Sequence, residues 1–169
     1  MRARRVATSS AARVVRGLHT LETYATRERL PLPIRDLCAR LSRVRIAETI
    51  VHGDLYPWNA VVVGDRTVVF DWSDAAVSHP FLDLAPALFD ATDEDTRAEL
   101  VEANLEPWSD IASRAELRAA ALVGEALGCV YQAISYEGIH DAFEVSDRPL
   151  LADEPDRWKQ RAVELAGRL

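Results

Sequence analysis

The stretch from Ile50 to Asp71 limits the folds available to this chain more than any other part of the sequence. It reads IVHGDLYPWNAVVVGDRTVVFD and contains an H-x-D-x-x-x-x-N pattern formed by His52, Asp54 and Asn59. Two short runs rich in β-branched residues follow, and a Gly-Asp-Arg sequence that favours a turn separates them. The sequence therefore predicts a polar loop that leads directly into a β-hairpin.

Pairing across this hairpin predicts a metal site. If the runs Ala60–Val63 and Thr67–Phe70 are joined by a three-residue loop, counting outward along the strands places Asn59 opposite Asp71. Directly opposed residues in a hairpin have Cβ atoms about 4.5–5.5 Å apart. An amide oxygen and a carboxylate at this separation suit Mg²⁺, which takes few protein ligands and completes its shell with phosphate and water oxygens.

Asp54 is predicted to lie one loop away from this pair. Phosphoryl transfer requires little covalent chemistry from the protein. A carboxylate that orients and deprotonates a hydroxyl, next to a metal ion that bridges phosphates, is therefore a minimal apparatus for it. The spacing of the three residues supplies both parts.

Three motifs in this region resemble those of the aminoglycoside phosphotransferase and choline kinase superfamily, which has the protein-kinase-like fold. They are HGDLYPWN at 52–59, VFDWSDA at 69–75 and HPFLDLA at 79–85. The resemblance is strongest over residues 48–85 and weaker in the helical remainder. It implies that Asp54 is the catalytic base, and that Asn59 and Asp71 bind Mg²⁺ and, through it, ATP as the phosphoryl donor.

The same resemblance implies structural roles for His52 and Asp83. The pKa of a histidine lies near neutrality, which would suit a general base, but in the family pattern His52 bridges the loop to the backbone near Asp71, and we favour that role. Asp83 is implied to tie the following helix to the catalytic loop. For Asp74 two roles stay open, binding of a second metal or the substrate, and formation of a turn.

Gly53 indicates which type of kinase is expected. It stands where protein kinases have the arginine of H-R-D, which reads a phosphorylated activation segment. The segment from Trp72 to Asp83 is also short and has no A-P-E element. We therefore expect a small-molecule kinase.

The kinase fold has a Gly-rich loop and a strand lysine before the catalytic loop, and this sequence shows neither. Its only lysine is Lys159. We expect residues 1–169 to form a single α+β domain, mostly helical, equivalent to the C-terminal lobe without the N-terminal lobe. Three explanations stay open: a wrongly assigned start, a lobe that another chain completes, or a remnant that folds without catalysing.

Charge and cysteine content exclude several classes of protein. Lys plus Arg total 20 against 27 for Asp plus Glu, a net charge of −7, which disfavours nucleic-acid binding and is compatible with cationic substrates. Cys38 and Cys129 lack the spacing of a zinc site and are expected to be buried thiols. No apolar run approaches the ~20 residues of a membrane span, so we expect a cytoplasmic protein without a membrane partner.

Helical periodicity predicts the rest of the chain to be mostly α-helix. Ser113 with Glu116 forms a capping box, and Gly124 and Gly128 in the same helix predict close helix packing. The acidic segment from Gly138 to Asp156 is expected to be irregular, either a solvated loop or part of a substrate cleft. The predicted helices cover 11–30, 34–44, 81–89, 92 to about 104, a long helix from 113, and a final helix that buries Trp158, Ala162, Leu165 and Leu169.

The predicted function is that of an ATP- and Mg²⁺-dependent phosphotransferase that acts on a hydroxyl of a small molecule. The alternative is a catalytically inactive remnant or binding module that captures a small cationic ligand or a partner chain. Apolar surface that the absent lobe would normally cover predicts self-association, and a partner that carries an N-lobe stays open as the other way to cover it.

Overall fold

A computed structural model describes residues 20–142, 144 and 151–169 of the protein. The described chain is mostly helical, with two small antiparallel sheets, and so has the predicted α+β character. Of the helix predicted over residues 11–30, residues 20–27 are helical and 11–19 lie outside the described residues.

Six helices and four strands follow one another along the described residues. The helices are α1 (20–27), α2 (Ile34–Leu41), α3 (Leu84–Ala87), α4 (Glu94–Leu105), α5 (Arg114–Ala142) and α6 (Glu154–Ala166). The strands are β1 (Thr49–Val51), β2 (Ala60–Val63), β3 (Arg66–Val69) and β4 (Ala76–Ser78). Single turns of 3₁₀ helix cover Pro57–Asn59, Trp72–Asp74, Pro80–Asp83 and Glu106–Trp108.

Helix α5 is the centre of the packing. It contacts α2, α3, α4, α6 and the 3₁₀ turn Pro80–Asp83. Among the described helices only α5 is long and apolar enough to cross a membrane, and 72% of its most apolar window is buried within the protein, as in a core helix. Its buried apolar side chains include Leu117, Val123, Leu127, Cys129 and Val130, and α6 adds Trp158, Ala162 and Leu165 to the same core.

Two glycines allow α5 to approach the chain that leads into α3. A Cβ atom on Gly124 would lie 2.5 Å from the Cβ of Phe81, and one on Gly128 would lie 2.4 Å from the carbonyl oxygen of Leu82. No real Cβ atom tolerates such contacts. The Gly-x-x-x-Gly spacing therefore serves close packing, as predicted.

A buried ion cluster joins α5 to α4 and α6. Glu125 is 4% exposed and accepts hydrogen bonds from Arg97 of α4 and from Arg161 of α6, the latter at 3.3 Å. An unpaired charge at this depth would be strongly destabilising, so the two arginines are necessary partners.

Helix ends agree with the sequence in some places and differ in others. The Ser113 and Glu116 capping box is confirmed, since the Glu116 carboxylate accepts from the Ser113 backbone N–H at 2.9 Å. Helix α4 is capped by Asp93, which accepts from Thr96 N–H at 2.7 Å, so the cap lies one residue later than the predicted position before the first turn, Thr92.

Three further helix predictions need correction. Helix α2 ends at Leu41 instead of residue 44, although Val44 remains buried. The segment 81–89 is not one helix, because Pro80–Asp83 is a 3₁₀ turn and α3 is short. Helix α5 continues to Ala142, so the predicted irregular segment does not begin at Gly138.

The hairpin closes differently from the prediction. Val63 pairs with Arg66 and Ala60 with Val69, so the loop contains only Gly64 and Asp65. Gly64 has φ +64°, which fits the glycine at the first central position of a type II′ turn. Asn59 therefore pairs with Phe70, whose N–H donates to the Asn59 carbonyl at 3.0 Å, and the predicted opposition of Asn59 and Asp71 is wrong by one residue.

The close approach of α5 predicts a large difference between two glycine substitutions. Gly128→Ala places a methyl group against the Leu82 carbonyl, and we expect it to lower the free energy of unfolding by about 1–3 kcal/mol. Gly138→Ala, in the same helix with nothing within 4 Å of the new Cβ, should raise it by up to about 1 kcal/mol. Urea denaturation of both variants measures this, and equal stabilities would contradict the packing.

Candidate active site

The loop after β1 is fixed by the carboxylate of Asp83. This carboxylate accepts the backbone N–H of His52 at 2.7 Å and that of Gly53 at 2.8 Å. Burial raises the pKa of Asp83, while the two backbone hydrogen bonds act in the opposite direction by stabilising the carboxylate. Asp83 thus makes the contact between the α3 segment and the loop that the sequence resemblance implies.

The ring of His52 joins the loop to the end of β3. Its Nε2 lies 2.9 Å from the carbonyl oxygen of Phe70, and its Nδ1 accepts the Asp54 N–H at 3.3 Å. Because a carbonyl oxygen can only accept, Nε2 carries the proton and the ring is in the Nε2–H tautomer. With both nitrogens engaged and 2% of the residue exposed, His52 holds the loop and is not available as a base.

Gly53 occupies a position where any side chain would collide. Its φ is +81°, and a Cβ atom there would lie 2.4 Å from the carbonyl oxygen of Asp74. Its own carbonyl accepts a 2.5 Å hydrogen bond from Nε2 of Gln132, which is 2% exposed. Gln132 was missed by the sequence analysis, although it continues the line of Gly124 and Gly128 at intervals of four residues.

Asp54 and Asn59 form the centre of the site. The side-chain nitrogen of Asn59 donates to the carbonyl of Asp54 at 2.8 Å and to its carboxylate Oδ2 at 3.0 Å. Burial raises the pKa of Asp54, the Asn59 hydrogen bond lowers it, and the negative charges of Asp74 and Asp71 raise it again. Asp54 is therefore a carboxylate whose basicity is increased and whose orientation is fixed.

Asp71 lies at the exposed edge of this group. Its backbone is left-handed, with φ 62° and ψ 58°, a conformation that costs a residue with a Cβ about 1–2 kcal/mol. Its Oδ1 accepts a 3.1 Å hydrogen bond from Ser73 Oγ. The turn at Asp71 ends β3 and brings its charge near Asp54, despite the shift in hairpin register.

Oxygen atoms are the ligands that this group offers to a metal ion. Because the Asn59 nitrogen is engaged by Asp54, the amide oxygen is the atom left for a cation, and Asp71 adds a carboxylate. Such hard oxygen ligands fit Mg²⁺. No group of three or more His, Cys, Asp or Glu residues within the described ranges could hold a metal, so the donor set is small.

An aromatic cluster lies beside the loop that carries Asp54 and was also missed by the sequence analysis. Tyr56 is 2% exposed, its hydroxyl lies 3.3 Å from that of Tyr136, and its ring stacks on Trp58 with centroids 4.2 Å apart. Phe89, which follows α3, and Trp158 of α6 make T-shaped contacts with the ring of Tyr56. These contacts join residues far apart in the sequence.

Several large apolar side chains are exposed on and around the hairpin. The valines of β2 are 46–73% exposed, and Phe70 is 45% exposed. Ile50, Trp58, Val68 and Trp72 are exposed as well. The hairpin therefore presents an apolar surface next to the polar group formed by Asp54, Asn59 and Asp71.

Gln132 provides a test of how the loop is held. Gln132→Leu removes the donor to the Gly53 carbonyl, and we expect a loss of about 1–3 kcal/mol in the free energy of unfolding and faster hydrogen exchange at the His52 and Gly53 amides. Gln160→Leu, which changes an exposed glutamine of α6, should alter stability by less than about 0.5 kcal/mol. Unchanged exchange at both loop amides in Gln132→Leu would contradict the assigned contact.

Comparison with known proteins agrees with the motifs in this loop. The family model described as the phosphotransferase enzyme family, APH, matches residues 2–122, which include the loop, the hairpin, α3 and α4. No curated protein and no solved structure gives a significant match. Since the matched region is well over half of the 169 residues, the chain belongs to the phosphotransferase enzyme family.

Proposed function

We propose that this protein transfers the γ-phosphoryl group of ATP to a hydroxyl of a small molecule, with Mg²⁺ as cofactor. The observation that carries the proposal is the hydrogen bond between Asn59 and Asp54. It holds the prospective base against an amide whose oxygen can bind a cation, with Asp71 at the same edge. This is the combination that phosphoryl transfer requires.

Asp54 is proposed to accept the proton of the acceptor hydroxyl. Its Oδ2 is engaged by Asn59, so Oδ1 is the oxygen assigned to the alcohol. Burial and the neighbouring carboxylates raise the pKa of Asp54, which makes it a stronger base at neutral pH. The fixed loop supplies this carboxylate in one orientation, so little reorganisation is required during the reaction.

Asn59 and Asp71 are proposed to hold Mg²⁺ through their oxygen atoms. When bound, the ion supplies positive charge to the phosphate oxygens of ATP. The exposed position of Asp71 leaves room for such a ligand. His52 and Asp83 are proposed to act on the loop alone, since their polar atoms face the backbone.

Gly53 supports a small-molecule acceptor and disfavours control by a phosphorylated segment. A side chain at this position would meet the Asp74 carbonyl and would have to adopt a positive φ. An arginine that reads a phosphate group therefore has no place here. We propose the whole 169-residue chain as one catalytic lobe that works in the cytoplasm.

The apolar surface of the hairpin supports the proposal of a protein contact. Val62 and Val63 are 73% and 59% exposed, and Ile50 is 67% exposed. Burial of such side chains is worth about 25 cal/mol per Å². Self-association, or association with a chain that carries a nucleotide-gripping lobe, would cover this surface.

Two carboxylate substitutions separate transfer from nucleotide binding. Asp54→Asn should lower phosphate transfer from ATP to alcohol acceptors by at least about 100-fold, while binding of Mg²⁺ and a nonhydrolysable ATP analogue is retained. Asp71→Asn should weaken that binding, as calorimetry measures. Asp65→Asn, in the exposed hairpin turn, is the matched control and should match the native protein in both. Full transfer by Asp54→Asn would disprove the assigned base.

The charge of Asp74 predicts a shift in the pH profile. Its negative charge raises the pKa of Asp54, so Asp74→Asn should lower that pKa and move the acidic limb of the transfer rate to lower pH. The direction follows because activity is lost when Asp54 becomes protonated. An unmoved acidic limb with weakened Mg²⁺ binding would instead assign Asp74 to the metal.

A further inference from the structure

Trp58 is an exposed aromatic side chain within the catalytic loop. It lies in the 3₁₀ turn Pro57–Asn59, directly before the residue that holds Asp54, and it is 57% exposed. A large indole in such a position exposes apolar area to water at a cost, and a polar side chain there would avoid that cost. The position of Trp58 is therefore a candidate for ligand contact.

One face of the indole is supported by a rigid partner. The rings of Trp58 and Tyr56 are nearly parallel, at 11° with centroids 4.2 Å apart. Tyr56 is itself almost fully buried and lies against Tyr136, Phe89 and Trp158. Stacking on this buried cluster favours one orientation of the indole, so less conformational entropy is lost when a ligand meets its other face.

The charged groups described near this cluster each have a role or a partner. The charges of Asp54 and Glu154 reach the Tyr136 hydroxyl. Asp54 is required for the reacting hydroxyl, and Glu154 is paired with Arg157 at 2.6 Å. Arg157 in turn lies over the ring of Phe89 at 4.7 Å. Among the residues that the structure describes, these charged groups already have a role or a partner, and what Trp58 adds to the site is an aromatic face.

We propose that the exposed face of Trp58 is the platform on which the acceptor lies, and that the acceptor carries its hydroxyl on a flat ring with an apolar face. The C–H face of a sugar ring and the face of an aromatic ring share this chemistry. The ring rests on the indole while its hydroxyl reaches Asp54, four residues away in the same tight loop. This inference rests on the proposed phosphotransferase function.

Binding of defined alcohols tests the platform without use of activity. The probes are benzyl alcohol and methyl β-D-glucoside as ring alcohols, and choline and 1-propanol as acyclic alcohols. Their titration is followed by the chemical shift of the Trp58 indole N–H, which is assigned by its absence from the spectrum of Trp58→Phe. We expect at least one ring alcohol to move this signal and to bind more tightly than both acyclic probes.

The variants give the quantitative result. Affinity for the ring alcohol, measured in every variant through the backbone amide of Asn59, should fall about five- to tenfold in Trp58→Ala. In Trp58→Phe it should stay within about twofold, because a stacking face is kept. Leu100→Ala changes an exposed apolar residue of α4 and should bind as the native protein does.

Three outcomes would overturn the platform: no ring alcohol binds, choline or 1-propanol binds as tightly as the ring alcohols, or Trp58→Ala keeps full affinity. Calorimetry with Mg²⁺ and an ATP analogue on the same samples separates the two proposals. If the native protein does not bind the nucleotide analogue, that result counts against the phosphotransferase function alone. Intact nucleotide binding with unchanged ring-alcohol affinity in Trp58→Ala counts against the platform alone.

Discussion

The Asp83 carboxylate accepts hydrogen bonds from two consecutive backbone N–H groups, and the geometry of the whole site depends on this interaction. A buried loop must find partners for its backbone polar groups, and here five of those groups between His52 and Asp54 have side-chain partners. Asp83 takes the N–H of His52 and of Gly53, and Gln132 donates to the Gly53 carbonyl. The Asp54 N–H goes to the His52 ring and its carbonyl to Asn59. Side chains thereby take the place of the strand partners that an irregular segment lacks.

The core helix α5 supports this arrangement of the loop. Gly124 and Gly128 allow the segment that contains Asp83 to lie directly against it, and Gln132 reaches the loop one turn further on. The same helix is tied to α4 and α6 through Glu125 and its two arginines. Packing of the core and positioning of the Asp54 carboxylate are therefore parts of one structure. A substitution in the core is therefore expected to change the position of the loop that carries Asp54.

The sequence correctly predicted several features that interactions between neighbouring residues determine. The loop motif, the hairpin, the capping box of α5 and the glycine spacing all depend on residues close together in the chain. The hairpin register was wrong because Arg66, counted as part of the turn, pairs with Val63, and Gly64 alone supplies the positive φ that closes a two-residue loop. A single residue of register decides which side chain faces which.

Contacts between segments far apart in the chain could not be predicted from the sequence. Gln132 lies 79 residues from Gly53, and Tyr136 lies 80 residues from Tyr56. Gln132 shares a helix face with Gly124 and Gly128, but this spacing does not show which distant residue it contacts, and nothing in the sequence pairs Tyr136 with Tyr56. Family resemblance located Asp54, Asn59 and Asp71, whereas the support of the loop by α5 and the aromatic cluster appeared only in three dimensions.

Paramagnetic relaxation by Mn²⁺ locates the metal site without use of activity, because this ion substitutes for Mg²⁺ and broadens the signals of nearby nuclei. With an ATP analogue present, we expect the side-chain amide of Asn59 and the backbone amide of Asp71 to broaden first, followed by Asp54. Exposed amides of α4 should be unaffected. Broadening centred elsewhere, or equal broadening in a protein that carries Asp71→Asn, would contradict the assignment of this loop as a metal and nucleotide site.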